Sequence, residues 1–149
     1  MCPVCGKALT LGVMGRVDDL ARKDKLKIEK EKDSVGIVWH KTKGRPRYGK
    51  LVPLREILSE ALEKGVNTKT VARKYDEMIE KFGTELEILL RVEMKKLKEW
   101  DAWIGEAIEK VRGGDIYVKP GYDGVFGKVK IWEDGLEAED DKKEQMILF

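Results

Sequence analysis

Apolar positions in this chain follow two different periods, and the change from one to the other divides it. Leu54, Ile57, Leu58, Ala61 and Leu62 fall at i, i+3, i+4, i+7 and i+8, which predicts a helix with one buried face that ends before Gly65. Val71, Tyr75, Met78, Ile79 and Phe82 repeat the spacing in a second helix, with Gly83 placed as its C-terminal cap. Thr84 and Glu87 have capping-box spacing and open a short third helix carrying Leu86, Leu89 and Leu90. Met94, Leu97, Ile104, Ile108 and Val111 define a longer fourth helix, stopped by Gly113 and Gly114.

Beyond the double glycine the period drops to two. The stretches 116–119 and 125–132 flank Pro120-Gly121-Tyr122-Asp123-Gly124, whose turn chemistry predicts a β-hairpin. Upstream of the helices, Gly36 to His40 reads as a strand followed by an extended loop broken by Gly44, Pro46, Gly49 and Pro53. The fold class expected is therefore mainly α with a small β part. Five segments follow: a cysteine knuckle with a charged connector over 1–32, a basic strand and loop over 33–53, a helical domain over 54–114, a hairpin over 115–132 and an acidic tail over 133–149.

The 149 residues suffice for one modest core. Thirty basic residues against twenty-eight acidic leave a net charge of only +2, so attraction to a polyanion has to come from local clustering. Such a cluster exists. Between Ser34 and Arg55 there is no acidic residue, whereas Lys41, Lys43, Arg45, Arg47, Lys50 and Arg55 are basic and Trp39 and Tyr48 are interleaved. Cations in such a run can neutralise phosphates, and the two aromatics can stack on an unpaired base or pack on their own domain. No apolar run reaches membrane-span length and no signal peptide precedes the first cysteine, which points to the cytoplasm. Abundant Lys and Glu match the composition of thermophilic proteins.

Three motifs carry candidate chemistry. Cys2 and Cys5, in Cys2-Pro3-Val4-Cys5-Gly6-Lys7, can face one zinc ion, but a closed structural site needs four ligands. The pair reads as half of a four-cysteine zinc ribbon, with a redox pair or an inert thiol pair as alternatives. His40, beside Trp39, reads as a surface or loop residue and not as a further ligand. Gly65-Val66-Asn67-Thr68-Lys69-Thr70 joins two amphipathic helices in the layout of a helix-hairpin-helix. In that motif the amides opening the second helix hold a phosphate, Lys69 adds charge, and Asn67 occupies a position suited to left-handed backbone. A plain helical hairpin is the alternative. Gln145, Leu148 and Phe149, at the end of an acidic stretch, fit the start of a sliding-clamp docking peptide, or else an apolar tail that folds back on the core.

With one histidine and no His/Asp/Glu cluster at metal-ligand spacing, the chain offers no hydrolytic centre of its own. Gly121 to Gly127 sits in a hairpin, where it reads as a tight turn and not as a phosphate loop. The alternative is that Tyr122, Asp123 and Phe126 reach toward a partner domain or substrate.

The knuckle, Leu9-Thr10-Leu11-Gly12-Val13, Arg16-Val17 with Leu20-Ala21, Leu51-Val52-Pro53-Leu54, Gly65 to Val71 and Lys119 to Gly127 occur in an order that resembles the C-terminal part of PHP-domain proteins of the endonuclease Q family. The resemblance runs from Cys2 to about Phe126. It implies a DNA-repair context in which a metal-dependent PHP domain nicks the strand 5′ of deaminated bases, such as uracil or hypoxanthine, and of abasic sites. It also implies a four-cysteine zinc element, whose second pair Cys2 and Cys5 would match, a helical region that helps grip DNA, and contact with the sliding clamp. The PHP metal ligands and the first cysteine pair are absent from this sequence, so catalysis does not carry over. A C-terminal fragment and a free-standing relative both fit, and Met1 directly before the knuckle favours a cleavage product or an internal start. The reading that results is a non-catalytic DNA-binding module, with a protein-interaction module as the rival.

Overall fold

The structure, a computed structural model, describes residues 3–4, 6–7, 13–21, 27–121 and 125–133. Cys2, Cys5, Tyr122, Asp123, Gln145, Leu148 and Phe149 lie outside the described residues. The elements run α1 (Val13–Leu20), β1 (Glu29–Lys32), β2 (Val38–Lys41), β3 (Tyr48–Gly49), α2 (Leu54–Ala61), α3 (Lys69–Phe82), α4 (Glu85–Leu90), α5 (Met94–Trp100), α6 (Ala102–Gly113), β4 (Tyr117–Lys119) and β5 (Lys128–Lys130). β1, β2 and β3 form an antiparallel sheet in that order, and β4 pairs with β5 in a separate hairpin.

Helices α2 to α6 build the core, and most of the periodic positions face it, although Leu86 is exposed and Ile88 is buried in its helix instead. Leu54, Ile57, Leu58, Val71, Met78, Ile88, Leu97, Ile104, Ile108 and Val111 are buried together, joined by Ile131 from beyond β5. Removing each such side chain from water contributes about 1.5–3 kcal/mol, enough to hold five short helices that would be marginal alone. α3 ends at Gly83 with φ 95°, and Thr84 and Glu87 close the expected capping box at the start of α4.

α2 begins after Pro53, which has no side chain able to cap it. Instead the Glu85 carboxylate, from α4, accepts the Leu54 amide at 2.8 Å and the Tyr75 hydroxyl at 3.0 Å, fastening three helices at one point. Glu60, at the other end of α2, accepts the amides of Ile131 and Trp132 at 2.7 and 3.1 Å and so fixes the root of the β4–β5 hairpin.

The sequence differs from the structure in two elements. The expected long fourth helix is two helices, α5 and α6, because Asp101 leaves helical geometry and its carboxylate accepts the Ile104 amide at 3.2 Å as the N-cap of α6. At this corner Gly105 approaches Lys98 so closely that a Cβ would lie 2.9 Å from the Lys98 Cα. The charged connector contains a helix and a strand: α1 displays Val13, Val17 and Leu20 to solvent, and β1 is Glu-Lys-Glu-Lys with every side chain exposed. Strand β1 forms because β2 supplies its hydrogen-bonding edge, with Glu31 opposite Trp39 and Lys30 opposite His40. Such pairing overrides the weak strand preference of Lys and Glu.

Candidate nucleic-acid interface

The acid-free segment folds back on itself: β2 leads into the 42–47 loop and returns as β3, with Trp39 opposite Gly49 and His40 opposite Tyr48. The reversal gathers its cations. Lys41, Lys43, Arg45 and Arg47, with Thr42, line an open cleft of about 630 Å³, to which the start of β1 adds Lys27 and Glu29. Five cations therefore face one carboxylate. Lys50 is exposed but is not part of the lining, and neither are the residues of the 65–70 joint.

Contacts within the sheet fix part of this array. Lys41 pairs with Glu31 across the β1–β2 ladder, and the hydrogen bond and charge of Lys41 hold the Glu31 carboxyl below its ordinary value against the opposing effect of burial, with a lesser contribution from the charge of Arg47. The Arg47 guanidinium lies 4.4 Å from the Trp39 ring centroid, a cation–π contact that orients it without neutralising it. Lys43 and Arg45 are exposed at the tip of the loop.

Both aromatics of the segment are engaged within the sheet, in strands and not in a loop. Trp39 carries Arg47 on its ring and donates its Nε1 proton to Asp33 at 2.8 Å, while Tyr48 stacks on His40 at 5.0 Å and 14°. His40 is thus a half-buried strand residue, with a buried Nδ1 that has no hydrogen-bond partner. The reason is register: β2 and β3 face each other, so their alternate side chains meet across the ladder before they can meet a ligand.

The joint between α2 and α3 points outward. Gly65, Asn67, Lys69 and Thr70 are exposed, and Val66 and Thr68 are half-buried. Thr68 is the N-cap of α3: its hydroxyl accepts the Val71 amide at 3.5 Å and donates to the Gly65 carbonyl at 2.8 Å. The left-handed residue is Glu63, φ 50°, and not Asn67, because the chain makes its reversal directly after α2. Gly65 has no left-handed φ either, and a Cβ there would meet only the Thr68 methyl at 3.7 Å. The joint has the cap and exposed amide end of a helix-hairpin-helix without its glycine geometry.

Sequence reasoning missed Lys27 and Arg112. Lys27 sits in a run of charges where nothing distinguishes one lysine from the next. Arg112 is 1% exposed, and its guanidinium donates to the carbonyls of Ile88, Leu89, Val92 and Val35 at 2.7–2.9 Å. It satisfies the open end of α4 and ties the β1–β2 turn to the helices, although by sequence it is one of several cations at the end of a helix. Among the described residues no group of three or more His, Cys, Asp or Glu side chains is placed to hold a metal ion, and no helix is long and apolar enough to cross a membrane. The two thiolates of the knuckle fall two ligands short of a closed zinc site.

The chain is similar to several known proteins. Residues 53–115 match the family model described as the MJ0043 C-terminal domain. An uncharacterized protein of Methanocaldococcus jannaschii, MJ0043, is 36% identical over 128 residues, which are 86% of this chain and 14% of that protein. Two solved structures are similar as well. One is the lesion-specific endonuclease PfuEndoQ from Pyrococcus furiosus, with a TM-score of 0.65 and 28% identity over 89% of this chain and 29% of that one. The other is endonuclease Q in complex with a 27-mer duplex substrate with an abasic lesion at the active site, with a TM-score of 0.63 and 28% identity over 89% of this chain and 30% of that one. The chain thus spans about a seventh of the curated relative and less than a third of either solved chain.

Proposed function

We propose that this chain is a DNA-binding, non-catalytic module of an endonuclease Q-like repair nuclease, which holds duplex DNA for a PHP active site carried elsewhere in the protein. The observation that carries the reading is the convergence of Lys27, Lys41, Lys43, Arg45 and Arg47 on one cleft against the single carboxylate of Glu29. The likeness to a nuclease solved on a lesion-bearing duplex supports it. Deaminated bases and abasic sites are the lesion classes that the reading implies.

In this account the cleft tracks the sugar-phosphate strand, and each cation releases condensed counterions from it, so affinity is sequence-independent and falls steeply with salt. Arg47, steadied by Trp39, presents a planar fork suited to two phosphate oxygens. Lys41 exchanges Glu31 for a phosphate. The capped start of α3 with Lys69 supplies a second, weaker phosphate contact, which follows the helix dipole and carries less charge than the cleft. Cys2 and Cys5 belong in this reading to a zinc element completed by thiolates outside this chain.

Replacing Lys43, Arg45 and Arg47 together by alanine tests the assignment. The account expects the salt slope of duplex binding to fall by about three units, at about 0.9 unit per lost phosphate contact, with the melting temperature unchanged. An unchanged slope in a folded triple variant removes the cleft as the site. No binding by the unaltered chain favours a protein-interaction module instead.

A further inference from the structure

The β4–β5 hairpin exposes apolar surface that the core does not use. Phe126 is 96% exposed, and Val125, Val118 and Val129 of the same hairpin are exposed as well, with Val118 and Val129 paired directly across the two strands. A lone two-stranded ribbon with bare apolar side chains is poorly stabilised in water unless something fixes it. Its root is fixed: Ile131 is buried in the helical core, Glu60 accepts the amides of Ile131 and Trp132, and the Trp132 ring stacks on Trp103 at 4.7 Å and 3°.

The chain just beyond the ladder is also constrained. A Cβ on Gly121 would collide with the Val125 carbonyl oxygen and lie 2.5 Å from the Gly127 amide nitrogen, and a Cβ on Gly127 would lie 2.9 Å from the Gly121 nitrogen. The two sides of the loop touch backbone to backbone, so Phe126 is held outward on a narrow neck. Two residues along the chain from Phe126, Lys128 faces Lys119 in the ladder, with Lys130 opposite Tyr117 two pairs further on.

From this geometry we infer that Phe126 is a wedge that enters the base stack of bound DNA where a base is missing or unpaired, a role that rests on the DNA-binding reading above. A two-stranded ribbon fits a DNA groove, and an exposed apolar side chain next to its strands can fill a gap between base steps while lysines on the ribbon meet the flanking phosphates. The composition favours DNA over a protein partner. Lysine is depleted at the centres of protein interfaces, and one phenyl with three valines covers far less than the roughly 800 Å² per partner of a stable protein contact.

The test uses the full 149-residue chain, wild type and with Phe126→Ala or Phe126→Trp. Each is titrated against an intact duplex and one with a single abasic site beside 2-aminopurine, whose fluorescence reports unstacking. The expected result is a fluorescence change on saturation by the wild type that Phe126→Trp keeps and Phe126→Ala loses. Phe126→Ala should also lose about tenfold in affinity for the abasic duplex and less than about twofold for the intact one, as stacking of one ring implies. Equal affinities and signals for wild type and Phe126→Ala overturn the wedge and leave the module's DNA binding standing. Binding of neither duplex by the wild type overturns both.

Discussion

Arg112 donates from Nη1 to the Val35 carbonyl oxygen at 2.9 Å, bridging seventy-seven positions of sequence between α6 and the β1–β2 turn. The same guanidinium serves the carbonyls of Ile88, Leu89 and Val92 at the end of α4, so one side chain both closes a helix and fastens the sheet that bears the basic cleft to the helical core. Arg112→Met keeps much of the volume and strands several buried carbonyls. It should cost about 3 kcal/mol or more, read as a lowered urea midpoint. Arg112→Lys should recover only part of that, since an ammonium cannot span the four oxygens.

Val35 sits in a turn wrapped around a single carboxylate. Partial burial pushes the Asp33 carboxyl up, but bonds from the Trp39 indole and the amides of Ile37 and Val35, with the charge of Arg112, outweigh it and hold the group below its ordinary value. A carboxyl lowered on folding contributes stability that is present above its unfolded pKa and is lost as pH falls through the folded one. Urea midpoints should therefore drop as pH falls below about 4, and Asp33→Asn should flatten that drop. The flattening is partial, because Glu31 and Glu87 are lowered as well and titrate in the same direction.

The corner between α5 and α6 depends on the absence of a side chain. Gly105→Ala places a methyl against the Lys98 backbone, and the two helices must part to admit it. The expected loss is about 2 kcal/mol in chemical denaturation, after the gain in helix propensity is taken off. A neutral or stabilised variant would mean that the corner is looser than this contact indicates.

At the α2–α3 joint the expectation is reversed. Gly65→Val should leave stability within about 1 kcal/mol of wild type, since the position is exposed, its φ is not left-handed and only the Thr68 methyl lies near. Lys69→Ala should reduce the salt slope of DNA binding by about one unit with no change in melting. If Lys69→Ala leaves the slope unchanged while loss of Arg45 lowers it, the cleft acts alone.

The helices were legible because their apolar spacing is regular and their caps are local: Gly83, the Thr84–Glu87 box and Gly114 act within a few residues of themselves. What escaped the sequence depends on distance. Glu85 caps α2 from thirty-one residues away, β1 exists only as the partner of β2, and Asp101 breaks a continuous apolar period because α5 and α6 pack on each other through Gly105. For the site, the acid-free run named Lys41, Lys43, Arg45 and Arg47, which line the cleft, and also Lys50, which does not. That Trp39 and Tyr48 serve Arg47 and His40 follows from strand register, which the loop-breaking residues of the segment concealed.

The central claim is that clustered cations on this chain grip DNA through its phosphates. Fluorescence anisotropy of a labelled duplex with the 149-residue chain, repeated from about 50 to 200 mM salt, measures it directly. The account predicts tight binding at the low end and, with four to five phosphate contacts, a fall in affinity on the order of a hundredfold or more across the range. Weak binding at 50 mM by folded protein, or an affinity indifferent to salt, would contradict it.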